Sequence, residues 1–160
     1  MAFVFDATPS SLTANSYIPL EGANDYFAAR FGADSWDDLS DADKQALLAQ
    51  ATRRIDAEYF GGQKTVREQS LEWPRRFIYD KDGFPRDVDS IPKEVQYAAC
   101  ELAYYYMTQE DREVSVSALE DLEEIKIGPL GYKLKKGRKA DELPEIVDRY
   151  LRGIGPSARS

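Results

Sequence analysis

One stripe of apolar residues constrains this chain more than any other feature. Val95, Ala98, Ala99, Leu102, Ala103 and Tyr106 fall at i, i+3, i+4, i+7, i+8 and i+11, a spacing that places them all on one face of a helix. The alanines keep that face narrow, so other helices can approach it closely. Ile91-Pro92-Lys93-Glu94 marks its start, with proline in the first turn, where a missing N–H costs nothing. The spacing therefore predicts a central core helix around which the rest must be arranged.

Two helices are expected before it. Between Glu21 and Phe31 the apolar positions Ala23, Tyr26, Phe27 and Phe31 are helically spaced, and Gly32 is a natural residue to end the run. Ser40 followed by Asp41 and Asp43 reads as an N-cap with acids in the first turn. Leu47, Leu48, Ala51, Ile55 and Tyr59 continue that helix over about 41–59, until Gly61-Gly62 closes it. A last short helix begins at Leu143-Pro144-Glu145, carries Ile146, Val147, Tyr150 and Leu151, and ends at Gly153-Ile154-Gly155-Pro156.

Periodicity fails elsewhere. Residues 1–20 read as an N-terminal arm, extended and with a short strand at Phe3–Phe5. From Gly61 to Ser90 the chain reads as a long loop with short strands, anchored on the helices by Trp73, Pro74 and Phe77; a loop of that length in a small domain has a function or packing of its own. Ile125–Leu134 alternates like a β-hairpin around Gly128-Pro129. The expected fold class is mainly α: a small helical bundle of three core helices plus a short C-terminal helix, with a long loop and a short β-hairpin.

Composition removes most enzyme chemistry. The 160 residues include no histidine and one cysteine, Cys100. Ser-His-Asp triads, Cys-His pairs and His- or Cys-based zinc sites are thereby excluded, as is an intrachain disulfide. Carboxylates are plentiful, but none are paired in an apolar context that would separate their pKa values. No catalytic residue, cofactor or metal is expected, and the chain reads as a non-enzyme. No apolar run approaches the length of a membrane span, and the first residues show no secretory signal pattern.

The net charge is −8 at pH 7, which repels a phosphate backbone. It is unevenly spread. Residues 110–124 are strongly acidic, whereas Lys133, Lys135, Lys136, Arg138 and Lys139 form a basic run that could touch DNA or a neighbouring subunit.

Three local patterns resemble functional motifs and fail on detail. Asp80-Lys81-Asp82-Gly83 is like the middle of a calcium loop, but that alignment puts Ile78 at the first ligand position and Asp89, not glutamate, at the last. A turn with aspartate at its corner accounts for it. Gly61-Gly62-Gln63-Lys64-Thr65 lacks the first glycine of a phosphate-binding loop and follows a helix rather than a strand. Tyr104, Tyr105 and Tyr106 could stack on bases, but consecutive helical residues diverge; Tyr106 is expected in the core and the other two at a subunit or loop contact.

An ordered series of short segments adds a resemblance over about residues 14–107. It comprises Ala14-Asn15-Ser16-Tyr17-Ile18, Ala23-Asn24-Asp25-Tyr26-Phe27, Asp43-Lys44, Ala51-Thr52-Arg53-Arg54-Ile55-Asp56 and Gly62-Gln63-Lys64-Thr65. Gln69-Ser70-Leu71-Glu72-Trp73-Pro74-Arg75, Asp82-Gly83, Ile91-Pro92, Val95, Ala98 and Glu101-Leu102-Ala103 complete it. Together these resemble a family of tailed-bacteriophage head–tail connector (adaptor) proteins, some members of which are labelled DnaT-like single-stranded-DNA-binding.

The resemblance implies a small helical subunit of the virion neck, assembled in the host cytoplasm. It would form a ring with copies of itself, dodecameric as a rule, beneath the portal protein. Such a ring extends the DNA channel, lets DNA pass without specific binding and offers a platform to a downstream neck or tail protein. On this reading residues 21–110 are the connector domain, 111–140 an acidic segment and basic hairpin, and 141–160 a helix and tail that dock on the portal through Ile146, Tyr150, Leu151 and Ile154; the plainer reading of that last segment is a helix packed on its own subunit. The alternative is a single-stranded-DNA-binding replication accessory protein.

Overall fold

The computed structural model describes residues 3–120 and 142–154, with side chains in 3–109 and 142–154. The elements in chain order are α1 (Leu20–Ala28), α2 (Asp34–Asp37), α3 (Asp41–Asp56), β1 (Gln63–Lys64), β2 (Arg75–Arg76), α4 (Lys93–Glu120) and α5 (Glu145–Arg152). The fold is mainly helical, with one two-stranded antiparallel sheet among the described residues.

The alanine stripe forms the centre, as its spacing predicts. Val95, Ala98, Ala99, Leu102 and Ala103 are buried, joined by Cys100, while Tyr106 is only partly covered. Burial pushes the Cys100 thiol up, so it stays a neutral apolar filler. Helix α4 has 28 residues, roughly 42 Å of helix at ~1.5 Å per residue. It continues through residues 111–120 because no glycine or proline lies between Lys93 and Glu120 to stop it. The expected hairpin at Ile125–Leu134 and the basic run Lys133, Lys135, Lys136, Arg138 and Lys139 lie outside the described residues.

Helix α3 packs along the stripe with Leu48, Ala51 and Ile55. The Ser40 hydroxyl accepts from the Asp43 N–H at 3.1 Å, the expected cap. The helix ends at Asp56, three residues before the expected Tyr59, which is exposed. Helix α1 likewise ends at Ala28, so Phe31 lies beyond it, outside the face assigned to it by spacing. A single turn, α2, then inserts Trp36, which is fully buried and stacked on Phe27 at 4.2 Å between ring centroids. Its Nε1 donates to Asn24 Oδ1 at 2.9 Å, and buried Lys44 lies 5.8 Å from the ring centroid, a cation–π contact.

The first twenty residues hold no strand among those described, but they are tied to the core. The Asp6 carboxylate accepts from the hydroxyls of Thr13 and Ser11, both at 2.7 Å, and from the Thr8 N–H at 2.9 Å. These donors hold it well below the usual carboxylate range. Tyr17 and Ile18 are buried. The Tyr17 hydroxyl donates to Asp56, whose carboxylate also accepts from the Glu72 N–H at 2.7 Å. Asp56 thus joins the N-terminal segment, the end of α3 and the long loop.

Burial pushes the Asp56 carboxyl up. The folded state therefore holds its proton more tightly than the unfolded chain, and this group's contribution to stability rises as pH falls through its raised pKa toward the unfolded carboxylate value. Asp56→Asn should remove that slope and stay within about 1 kcal/mol of wild type at neutral pH, because an amide oxygen still accepts. Asp56→Ala leaves the Tyr17 hydroxyl and Glu72 N–H without an acceptor and should cost about 2–3 kcal/mol. Urea denaturation at neutral and mildly acidic pH measures both.

Candidate functional site: an anchored aromatic loop

The stretch from Gly61 to Ser90 is a loop launched by a buried anchor. Strands β1 and β2 pair antiparallel, Gln63 opposite Arg76 and Lys64 opposite Arg75. Gly62 is required where they meet: its φ is +70°, and a Cβ there would lie 2.0 Å from the Arg76 carbonyl oxygen. Buried Trp73 meets Phe60 edge to face at 5.4 Å, and Pro74 is buried beside it.

Polar side chains inside this loop replace the hydrogen bonds that a larger sheet would provide. Buried Gln69 donates to the carbonyls of Leu71 (2.8 Å) and Pro74 (3.0 Å), and accepts from the Val66 N–H at 2.9 Å. Arg75, also buried, donates to the carbonyls of Gly61 (2.7 Å), Gly62 (3.2 Å) and Glu72 (3.1 Å), and to the Glu72 carboxylate at 2.7 Å. Its guanidinium is the staple between the end of α3 and the loop. The segment Leu71-Glu72-Trp73-Pro74-Arg75, central to the sequence resemblance, is therefore structural.

Beyond the anchor the loop turns its aromatics outward. Phe77, expected as an anchor, is 67% exposed. Its φ of +64° swings the side chain away from the core and leaves Ile78, the next residue, to be buried instead. A bulky residue in that region is strained, and such strain persists only where the surroundings impose it. Tyr79 and Phe84 are exposed as well.

The frame beneath them is well bonded. Asp80 N–H donates to the Phe84 carbonyl at 2.8 Å and Arg86 N–H to that of Ile78 at 2.8 Å. The Asp80 carboxylate accepts from the N–H groups of Asp82 and Phe84, both at 2.9 Å, and Gly83 takes a φ of +87°. This is the aspartate-cornered turn expected from sequence. Arg86 then clamps the loop to α4 through Glu94 (3.0 Å) and to the end of α5 through the Gly153 carbonyl (3.0 Å).

A cleft of about 610 Å³ lies between α1, α4 and α5. Tyr26, Arg30, Gln96, Tyr97 and Tyr150 line it. Its cation is already used: Arg30 meets Glu101 at 2.7 and 3.2 Å, and the same carboxylate accepts from the Tyr26 hydroxyl. Burial and that neighbour push the Tyr26 phenol up. Tyr104 is occupied too, lying under Arg30 at 4.1 Å and donating to the Gly32 carbonyl at 3.1 Å. It thus contacts the turn between α1 and α2, the loop contact that is one of the two roles expected for it. Among the described residues no group of three His, Cys, Asp or Glu could hold a metal ion.

The C-terminal helix also differs from an extended docking arm. Val147, Leu151 and Ile154 are buried against the chain's own core, Tyr150 is partly buried, and Ile146 is exposed. The reason is a strongly one-sided helix too short to be stable alone, for which α4 provides the apolar partner. Of the four residues proposed for docking, only Ile146 is largely free.

Sequence reading missed Tyr79, Phe84 and Trp36, because each lies in an aperiodic segment where no spacing separates inside from outside. It also missed the Arg30–Glu101 and Arg75 contacts, whose partners are remote in sequence or are backbone carbonyls.

A family model described as "Putative DnaT-like ssDNA binding protein" matches residues 1–159. No curated protein and no solved structure matches the chain.

If the anchor is what holds the loop, Trp73→Ala should cost about 3–5 kcal/mol by chemical denaturation. Phe77→Ser, which alters an exposed side chain, should change stability by less than about 1 kcal/mol.

Proposed function

We propose, for a chain that belongs to this DnaT-like family, a structural role as a head–tail connector (adaptor) subunit of a tailed-bacteriophage virion. Copies would close into a ring, dodecameric in the form the resemblance implies, beneath the portal protein. The ring extends the DNA channel and presents its far face to the next neck or tail protein. No catalytic step, cofactor or metal enters this role.

The observation that carries the reading is the loop's combination of exposed aromatics with few available cations. Phe77, Tyr79 and Phe84 stand out on a bonded frame, on a chain of net charge −8. Single-strand binders of the stacking type combine such aromatics with a cationic groove that follows the phosphates. Here Arg75 is spent on backbone carbonyls and Arg86 on Glu94 and Gly153. Arg67, Arg76 and Lys81 remain exposed without an ion pair among the described residues, in a stretch that also exposes Glu68, Asp82, Asp87 and Asp89. Apolar surface without a cationic track suits coverage by protein. A net acidic wall also suits a channel through which DNA slides without being held.

The second reading, a single-stranded-DNA-binding replication accessory, is favoured by the family's own description. The same three aromatics would then be the stacking platform. One pair of measurements separates the two. Fluorescence anisotropy with a labelled oligothymidylate should show no saturable binding at physiological salt, and sedimentation should show concentration-dependent self-association. Saturable binding that disappears in the triple variant Phe77→Ala/Tyr79→Ala/Phe84→Ala would establish the accessory reading in place of the connector.

A further inference from the structure

Phe31 is fully exposed, at 102% of its reference area, yet its surroundings are fixed. On one side Arg30 is held by Glu101 in a two-pronged ion pair and lies over the Tyr104 ring. On the other, the Tyr104 hydroxyl fastens the Gly32 carbonyl, and Ala33 is buried. Gly32 takes a φ of +80° with nothing within 4 Å of a would-be Cβ, so glycine is there for the turn and not for lack of room. The result is a phenylalanine knob that nothing among the described residues covers.

The knob and the aromatic loop are two separate apolar features. The knob is clamped to α4 at Glu101 and Tyr104, the loop at Glu94. Ten residues of helix, roughly 15 Å along the axis, separate Glu94 from Tyr104. Their electrostatic settings differ as well. Residues 31–43 expose Asp34, Asp37, Asp38, Asp41 and Asp43 and contain no cation. Beside the loop aromatics the charge is mixed: Arg76 and Lys81 are exposed and without an ion pair among the described residues, alongside the exposed Asp82, Asp87 and Asp89.

We infer that a second copy of this chain covers the knob: Phe31 of one copy seats against Phe77, Tyr79 and Phe84 of the next, with the aspartates after the knob facing Arg76 and Lys81. The inference rests on the connector reading and deepens it. Two different patches on one chain make a head-to-tail contact, which generates a ring when the rotation closes. Both patches are held in place before they meet, so little ordering cost opposes association.

The full chain tests this with Phe31→Ser and Phe84→Ser, each checked for unchanged helical circular dichroism. Wild type should associate beyond the dimer in sedimentation velocity, and each variant should associate at least about thirtyfold more weakly, as for a central aromatic contact. An equimolar mixture of the two should form a heterodimer and stop, because only one intact knob and one intact loop remain per pair. If wild type associates and either variant does so equally well, or the mixture stays monomeric, the knob-and-loop contact is wrong and the ring reading survives it. A wild type that is monomeric to the highest attainable concentration overturns the inference. If that monomer also binds oligothymidylate saturably, the connector reading falls with it.

Discussion

Everything described here hangs on the alanine-lined face of α4. Small side chains at 98, 99 and 103 let α3 and α5 pack closely on one rod, and the burial of Val95 and Leu102 between them fixes their depth. Once that rod is in place, its polar side chains act as fixed posts. Glu94 receives Arg86, Glu101 receives Arg30 and Tyr26, and Tyr104 receives the Gly32 carbonyl. The core therefore positions irregular surface segments through three posts along one helix. A methyl-sized change on the alanine face would shift those posts together.

The posts explain why a small chain can hold long aperiodic stretches in defined shapes. Ordering the backbone of such a loop costs roughly 1–2 kcal/mol per residue, and two short strands cannot offset that. Buried polar side chains supply the difference. Gln69 and Arg75 together bond the carbonyls of Gly61, Gly62, Leu71, Glu72 and Pro74, the last of which also accepts from the Thr65 N–H at 3.1 Å, so the irregular path leaves none of them without a partner. Asp56 does the same where three segments converge. Such side chains are fixed by geometry as strictly as a catalytic group would be, so the Leu71–Arg75 segment reports how the loop is launched. What the loop meets is decided a few residues later.

Legibility in the sequence followed this division. The helices that pack on α4 were visible because period 3.6 and a Ser40 cap leave a local trace. Trp73 was legible as an anchor because a large aromatic beside proline in an aperiodic stretch has few other uses. Phe77 was misplaced by the same logic: only a positive φ, which composition does not show, sends it outward and Ile78 inward. Phe31 was misplaced because helical spacing continues past the point where α1 ends. The C-terminal helix was recognised, but an amphipathic helix does not state whose surface it covers, and here it is its own α4.

What distinguishes a protein contact from a nucleic-acid contact on this chain is then the fate of its cations, since both would use exposed aromatics. In the described residues cations are repeatedly turned inward. Lys44 lies on Trp36, Arg30 on Tyr104 and Glu101, Arg75 on backbone carbonyls, and Arg86 between α4 and α5. Arginine used as a staple cannot also neutralise phosphate, and counterion release, the main source of affinity for a nucleic-acid strand, scales with the cations left free. The aspartates of residues 34–43, in contrast, remain outside. Among the described residues, several arginines hold loops while aromatics and acids stay exposed, a balance that suits the proposed contact with a protein surface bearing apolar and cationic patches of its own. The loop between β2 and α4 carries both.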